Sequence, residues 1–112
     1  MKQKPFTKPQ LAKLRANAEL RDSSRTQPVV KFFCPWGAAT WLISELMEDG
    51  DTMFGLCDLG MGEPELGYVS LSELRSIRGP FGLTIERDIH FTPNKTLADY
   101  AEEANTQGRI VA

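Results

Sequence analysis

The fold is decided by the stretch at residues 54–74, which reads FGLCDLGMGEPELGYVSLSEL. Its first apolar run, residues 54–59, is short and bounded by glycine, which predicts a largely buried β-strand. Gly60 and Gly62 predict a tight turn after it, because glycine tolerates backbone angles that other residues avoid. A second strand is predicted over residues 66–69.

A short helix is predicted directly after this second strand. Ser70 and Glu73 stand three residues apart in the capping-box pattern, in which the serine accepts from the N–H of residue 73 and the glutamate reaches back. The helix is therefore expected to begin at Leu71. It is expected to end at Gly79-Pro80, where glycine can close the helix and proline cannot continue it.

Three stretches of this chain resemble a family of small uncharacterised bacterial proteins, a domain-of-unknown-function family carried on plasmids and integrative elements. They are FGLCDLGMGEPELGYVSLSEL itself, PVVKFFCPWGAATWLISEL at residues 28–46 and IERDIHF at residues 85–91, and the resemblance covers about residues 7–101. It implies a mobile-element setting and a bacterial cytoplasm. It implies no catalytic residue.

The N-terminal third predicts one helix, a polar linker and one strand. Thr7 is a candidate cap followed by proline in the first turn, so a helix is expected over residues 8–21, with Leu11, Leu14 and Ala18 on its core face. Residues 22–27 form the linker. Residues 28–34, rich in β-branched and aromatic side chains, predict a strand.

Residues 39–47 are compatible with either a helix or a strand. The Asp49-Gly50 dipeptide is a hairpin signal, so we favour a strand that pairs with residues 52–59. Residues 83–91 alternate between apolar and polar side chains and predict a further strand, with Ile85 and Ile89 on one face.

A last helix is predicted to begin after Thr96, which can cap its first turn. Its core-facing residues are expected to be Leu97, Tyr100, Ala101 and Ala104.

Together these elements predict an α+β fold: an antiparallel sheet of about five strands with an N-terminal helix, a short middle helix and a C-terminal helix, packed on one face of the sheet. At 112 residues the chain is expected to be a single domain. Residues 1–27 are its basic helix and linker, residues 28–105 its α+β core, and residues 106–112 a flexible tail.

The apolar pattern and the two cysteines bear on the compartment. No apolar run is long enough to span a bilayer, and no secretory leader pattern precedes the first helix. Cys34 and Cys57 are therefore expected to be reduced thiols in a cytosol, packed as small apolar residues. We expect a cytoplasmic protein without membrane contact.

Charge is distributed unevenly behind a net charge of −2. Residues 1–31 carry eight Lys or Arg against two acids, whereas residues 32–112 carry five against thirteen. No Lys or Arg occurs between residues 32 and 74. A basic arm on an acidic body informs the choice of partners rather than the fold.

Three residue patterns are candidates for a catalytic or ligand-binding site. Glu86, Asp88 and His90 would share one face of the predicted strand and could hold a proton-transfer pair, although a solvated strand face is the favoured interpretation. A cysteine nucleophile, Cys34 or Cys57, would need a base supplied through the fold. Glutamates rather than Lys follow the glycine turn at residues 60–62, so it is interpreted as structural rather than phosphate-binding. No metal-ligand spacing is present, and we expect neither a cofactor nor a metal.

The leading hypothesis is a non-enzymatic mobile-element accessory protein that binds a host protein complex, as an inhibitor of a nucleic-acid-targeting defence complex of the anti-CRISPR or anti-restriction type. Its predicted binding surface is acidic, with Trp36 and Trp41 as candidate aromatic anchors. The predicted acidic residues are Glu45, Glu48, Asp49, Asp51, Glu63 and Glu65.

Two alternatives stay open. The first is a nucleic-acid-binding regulatory protein that uses the basic N-terminal helix, and the second is a small enzyme centred on His90. The nucleic-acid contacts of the first alternative would be Lys8, Lys13, Arg15 and Arg21. Nucleic-acid binding is disfavoured because the acidic body repels it, and the sequence leaves the oligomeric state open.

Overall fold

A computed structural model describes residues 1–112 and contains three α-helices and five β-strands. The α-helices are α1 (Lys8–Ala18), α2 (Leu71–Ser76) and α3 (Leu97–Gln107). The strands are β1 (Val30–Phe33), β2 (Thr40–Leu46), β3 (Thr52–Asp58), β4 (Glu65–Ser70) and β5 (Glu86–Arg87). The α+β prediction, with one five-stranded antiparallel sheet and helices at the N-terminus, the middle and the C-terminus, is confirmed.

The strands form a single sheet in the order β4-β3-β2-β1-β5, and every pair is antiparallel. The hairpin predicted for residues 39–47 and 52–59 is present as β2 and β3, with Trp41 opposite Cys57 and Leu42 opposite Leu56. The register shifts between Ile43 and Glu45, which marks a β-bulge at Ser44.

The helices cover both faces of the sheet, not one face as predicted. Helices α1 and α2 pack on one face, where Leu14, Phe32 and Leu74 belong to a single buried cluster. Helix α3 packs on the other face, where Leu97 and Tyr100 join a second buried cluster. Strand β2 is therefore covered on both sides, which is why its apolar residues run almost continuously instead of alternating.

Helix α1 ends at Ala18, three residues earlier than predicted. The N–H groups of Glu19 and Leu20 close its last turn, since they donate to the carbonyls of Ala16 and Asn17. The linker then forms a short 3₁₀ turn over Ser23–Arg25.

Helix α2 also ends early, at Ser76 rather than at Gly79-Pro80. Gly79 has another role: a Cβ on it would lie 2.5 Å from the Trp36 ring, so glycine is required for that ring to pack over the chain. The predicted hydroxyl caps at Thr7, Ser70 and Thr96 are confirmed, because each hydroxyl accepts from the N–H three residues on. The return hydrogen bond expected from Glu73 to the Ser70 N–H is not formed.

The strand predicted over residues 83–91 is wrong in extent, since β5 holds only Glu86 and Arg87. Strand β1 is four residues long, and β5 pairs with it at Phe32 and Phe33 alone. Beyond Arg87 the chain turns, and Ile89, predicted to share a strand face with Ile85, is 67% exposed whereas Ile85 is buried.

The C-terminal segment predicted to be a flexible tail is in part packed against the body. Helix α3 continues to Gln107 and closes at Gly108 with a φ of +76°. Ile110 is buried, and its N–H donates to Asp58 Oδ2 at 2.9 Å. The expected core residues of α3 are confirmed: Leu97, Tyr100, Ala101 and Ala104 are all buried.

Candidate functional site

The acidic residues predicted to form one binding surface lie in two groups at opposite ends of β3. The group near the β2–β3 turn consists of Glu45, Glu48, Asp49 and Asp51. The group beyond the other end of β3 consists of Glu63 and Glu65. Because β3 has seven residues, its ends are about 20 Å apart. The structure therefore does not bring the six residues together.

Two carboxylates of the turn group hold the turn itself. Asp49 accepts from the Thr52 hydroxyl at 2.6 Å and from the Thr52 N–H at 2.8 Å. Asp51 accepts from the Ser70 hydroxyl and from the Ser72 N–H, both at 2.7 Å, which ties the turn to the start of α2. These hydrogen bonds, led by those from the Thr52 and Ser70 hydroxyls, lower the pKa of Asp49 and of Asp51 below its ordinary value. Both residues have a structural role.

The other two members of the turn group differ in their surroundings. Glu45 is half-buried on β2 and accepts a hydrogen bond from the Ser23 hydroxyl, which is itself buried. Glu48 is exposed and forms no ion pair. In this group, only Glu48 presents a carboxylate without a partner to solvent.

Glu63 and Glu65 lie instead on the rim of a groove between β4, the β3–β4 turn and α2, with a volume of about 470 Å³. Its charged lining residues are three glutamates, Glu63, Glu65 and Glu73. Its apolar lining residues are Trp41, Cys57, Leu59, Met61, Tyr68, Val69, Leu74 and Ile77. The groove is thus an apolar depression with a rim of one charge sign.

Several of these apolar side chains are largely exposed to water. Leu59 is 61% exposed, Met61 78% and Tyr68 68%. The turn presents the first two because Gly60 and Gly62, with φ of +81° and +80°, fold the chain tightly between the strands. Exposed large apolar residues such as Leu59 and Met61 beside a groove make it a candidate binding surface.

Gly67 provides open space in the groove. It lies opposite Gly55 in the β3–β4 pair, and a Cβ placed on it would meet nothing within 4 Å. In the sequence this glycine is one of four in residues 54–74 and carries no signal of its own. The groove itself was missed, because it is formed by β4, the turn and α2 together; large apolar residues in a turn, Leu59 and Met61, were the signal available.

The two candidate aromatic anchors are not exposed rings. Trp41 is 3% exposed and belongs to the core, although it contributes to the groove lining. Trp36 is half-buried and packs over Gly79. Tyr68 on β4 is an exposed aromatic residue, but its ring lies 5.2 Å from that of Phe54, on the face of the sheet opposite the groove.

The basic residues of the alternative hypothesis are all exposed. Lys8, Lys13 and Arg15 lie on α1, and Arg21 follows its end. Helix α1 buries Leu14 and Asn17 against the sheet, and the Asn17 side-chain amide donates to the Ser44 carbonyl at 2.9 Å. The basic side chains are thus left on the solvent side of the helix.

Glu86, Asp88 and His90 do not share a strand face, because β5 ends at Arg87 and Asp88 begins a turn. Asp88 Oδ2 lies 3.3 Å from Lys31 Nζ, while its Oδ1 accepts from the His90 backbone N–H. His90 is exposed. The predicted proton-transfer arrangement is therefore not assembled on this strand.

Neither cysteine is in a disulfide, and both are half-buried. Burial, with a smaller effect of Glu65, raises the pKa of the Cys57 thiol to about 11. A thiol with so high a pKa is almost wholly protonated at neutral pH and is a poor nucleophile.

We expect iodoacetamide to label Cys57 slowly in the native protein at pH 7.5 and rapidly once the protein is unfolded. The native rate should rise steeply between pH 8 and 11, as the thiol ionises. A Cys34→Ser background makes Cys57 the sole reporter, and mass spectrometry gives the rate. Native labelling as fast as that of the unfolded chain would contradict burial of this thiol.

None of the helices combines the length and the apolar character needed to cross a bilayer. No cluster of three or more His, Cys, Asp or Glu side chains is arranged as a metal site.

Comparisons with known proteins identify a family. No curated protein and no solved structure matches the chain. A family model described as "Protein of unknown function (DUF2958)" matches residues 6–111, which include every strand, every α-helix and the groove. The chain therefore belongs to the DUF2958 family.

Proposed function

We propose that this protein is a non-enzymatic binding module of plasmids and integrative elements, which acts in the bacterial cytoplasm by binding a host protein complex. The observation that carries the proposal is the apolar groove beside β4, whose exposed residues Leu59 and Met61 are bordered by glutamates as the only charged residues. Large apolar groups left in water gain free energy when a partner covers them.

The charge of the rim supports a basic partner. Glu63, Glu65 and Glu73 form no ion pair within the protein, so their charges are available to a partner. A basic surface would meet them with complementary potential, which raises the association rate and excludes acidic partners. Host complexes that target nucleic acid carry such surfaces, since they must bind phosphates. The proposed activity is therefore inhibition of a defence complex of the anti-CRISPR or anti-restriction type.

The test reverses the charge of the rim. We expect the triple variant Glu63→Lys, Glu65→Lys and Glu73→Lys to lose the host complex in co-purification and to lose protection of a targeted plasmid in a transformation assay. These side chains are exposed and make no side-chain hydrogen bonds, so the melting temperature should change little.

The chain offers a matched control. Glu19, Glu48 and Glu102 are exposed glutamates outside the groove and form no ion pairs, so reversing all three changes the net charge equally. This control should retain both binding and protection. If the wild-type protein gives no protection against any nucleic-acid-targeting defence system and retains no host complex, the proposed function is wrong.

The second candidate function is nucleic-acid binding through α1, favoured by the exposure of Lys8, Lys13, Arg15 and Arg21. A gel shift with double-stranded DNA tests it. Binding that falls steeply with salt and disappears in the variant Lys8→Glu, Lys13→Glu and Arg15→Glu would favour this function over the first.

A further inference from the structure

One edge strand of the sheet is covered by another part of the chain, and the other edge strand is not. The β5 edge is closed by the N-terminal segment: the Gln3 side-chain amide donates to the Arg87 carbonyl and accepts from the Arg87 N–H, both at 3.0 Å. The Arg87 guanidinium in turn donates to the Lys4 carbonyl at 2.9 Å. A side-chain amide here takes the hydrogen bonds that another strand would make, which protects this edge from strand addition.

The β4 edge has no such cover. The Leu71 N–H donates to the Asp51 carbonyl at 2.8 Å, and the β3–β4 register continues from this pair. Because hydrogen-bonded pairs alternate in antiparallel strands, the backbone groups of Val69, Gly67 and Glu65 face β3. Those of Leu66 and Tyr68 face outward, where they find no hydrogen-bond partner in the protein.

The groove lies directly beside this edge. Glu65, Gly67 and Val69 of β4 line it, and Gly67 leaves room above the sheet for a side chain from outside. A strand added to β4 would direct alternate side chains into the groove. The residues next to those would meet Leu66 and Tyr68, which are themselves exposed.

We propose that β4 accepts an extended segment of the partner protein as a sixth strand, and that the groove-facing residues of this segment, every second one, are in turn apolar and Lys or Arg. Backbone hydrogen bonds to Leu66 and Tyr68 would provide the register, and apolar side chains would fill the groove above Gly67. Its basic residues would pair with Glu63, Glu65 and Glu73. The inference rests on the proposed function and specifies how its partner is bound.

A second copy of this chain is a poorer occupant of the same edge. Two copies paired through β4 would bring the same glutamates into one interface, and like charges there oppose association. A basic segment meets the rim with the opposite charge instead. The charge of the groove thus selects a heterologous partner.

The experiment uses the full chain and synthetic peptides. The probe is a fluorescein-labelled, acetylated peptide of the repeat Val-Thr-Lys-Thr, which places valine and lysine in turn on one face of a strand. It is compared with one in which every lysine is glutamate and one N-methylated on every second residue. Fluorescence anisotropy gives affinity, and amide hydrogen exchange followed by NMR reports on Leu66 and Tyr68.

We expect the lysine peptide to bind, to weaken as salt is added and to slow exchange of the Leu66 and Tyr68 amides. The glutamate and N-methylated peptides should not bind. Reversing Glu63, Glu65 and Glu73 to Lys should weaken binding by roughly tenfold or more, whereas reversing Glu19, Glu48 and Glu102 should not.

Two single variants separate the edge from the groove. Leu66→Pro removes an outward N–H, which an edge strand tolerates, and Gly67→Leu fills the space in the groove. Both should fold, as judged by circular dichroism, and both should lose the peptide. If one variant fails to fold, the other variant still tests the proposed strand addition.

The outcomes that overturn the inference are distinct from failure of the proposed function. Peptide binding without protection of Leu66 and Tyr68 would show a groove that binds basic segments without strand addition, which leaves the proposed function intact. Equal binding of the glutamate peptide, or a dimer that protects these amides without peptide, would also overturn it. Absence of binding by the lysine peptide would also overturn the inference. The proposed function fails only if no host complex is retained and no protection is seen.

Discussion

Replacing Gly55 with alanine is expected to lower the free energy of unfolding by about 3 kcal/mol or more. A Cβ at this position would lie 2.0 Å from the Leu42 carbonyl oxygen and 2.9 Å from Ile43 Cα. Both are backbone atoms in the middle of the sheet, so no side-chain rotation relieves the contact. Residue 55 pairs with Ile43, directly before the register shift of β2, where the strands approach closely.

The matched control is Gly67→Ala, on the strand next to Gly55 and directly opposite it. A Cβ at Gly67 meets nothing within 4 Å, so this substitution should change the free energy of unfolding by less than about 1 kcal/mol. Urea unfolding of the two variants, followed by fluorescence of the two tryptophans, gives the comparison. Equal destabilisation by both substitutions would contradict the close approach of β2 and β3 at Gly55.

The difference between these two glycines indicates what the sequence can and cannot predict. Gly55 and Gly67 occur in similar apolar runs, and nothing in either run distinguishes the two glycines. Their difference arises from β2, which is distant in sequence and carries the bulge at Ser44. A local pattern identifies a glycine but does not identify the atom that approaches it.

Elements with local signals were predicted well. The β2–β3 hairpin follows from a two-residue turn signal, and the helix starts follow from capping side chains within three residues of the groups they bind. These interactions form within a short stretch, so the sequence contains all their partners.

Elements whose length depends on a distant partner were predicted poorly. Residues 83–91 alternate as a strand should, but β1 ends at Phe33, which leaves residues 83–85 without a strand partner. On the other side the chain turns after Asp88, whose N–H donates to the Lys31 carbonyl. The prediction that all helices cover one face failed for α3 for the same reason, since the face that a helix covers depends on residues distant in sequence. The apolar residues of α3 were identified correctly, but periodicity does not say which face of a sheet they cover.

The acidic residues selected for the binding surface include correct and incorrect choices. Glu63 and Glu65 were selected for their charge and do lie on the groove, whereas Asp49 and Asp51 were selected for the same reason and hold a turn. Charge alone could not separate them, because the hydroxyl and N–H donors that engage the aspartates come in part from α2. Glu73, the third rim residue, was seen only as a capping residue.

Asp58→Ala is expected to lower the free energy of unfolding by about 2 to 4 kcal/mol. Asp58 is 2% exposed, and no basic side chain pairs with it. Its carboxylate accepts from the Gly60 N–H at 2.8 Å and from the Ile110 N–H at 2.9 Å. It therefore holds the glycine turn at one oxygen and the C-terminal segment at the other, and alanine leaves both donors without an acceptor.

Two controls give this prediction its specificity. Asp88→Ala removes a partly exposed carboxylate that bonds one backbone N–H and one lysine, and it should cost less than about 1 kcal/mol. Deleting residues 108–112 removes the Ile110 donor, so Asp58→Ala should cost less in that background than in the full chain. Strictly additive losses in this cycle, measured by urea unfolding, would mean that Asp58 does not hold the C-terminal segment. Faster hydrogen exchange of the Ile110 amide in Asp58→Ala is the direct sign that it does.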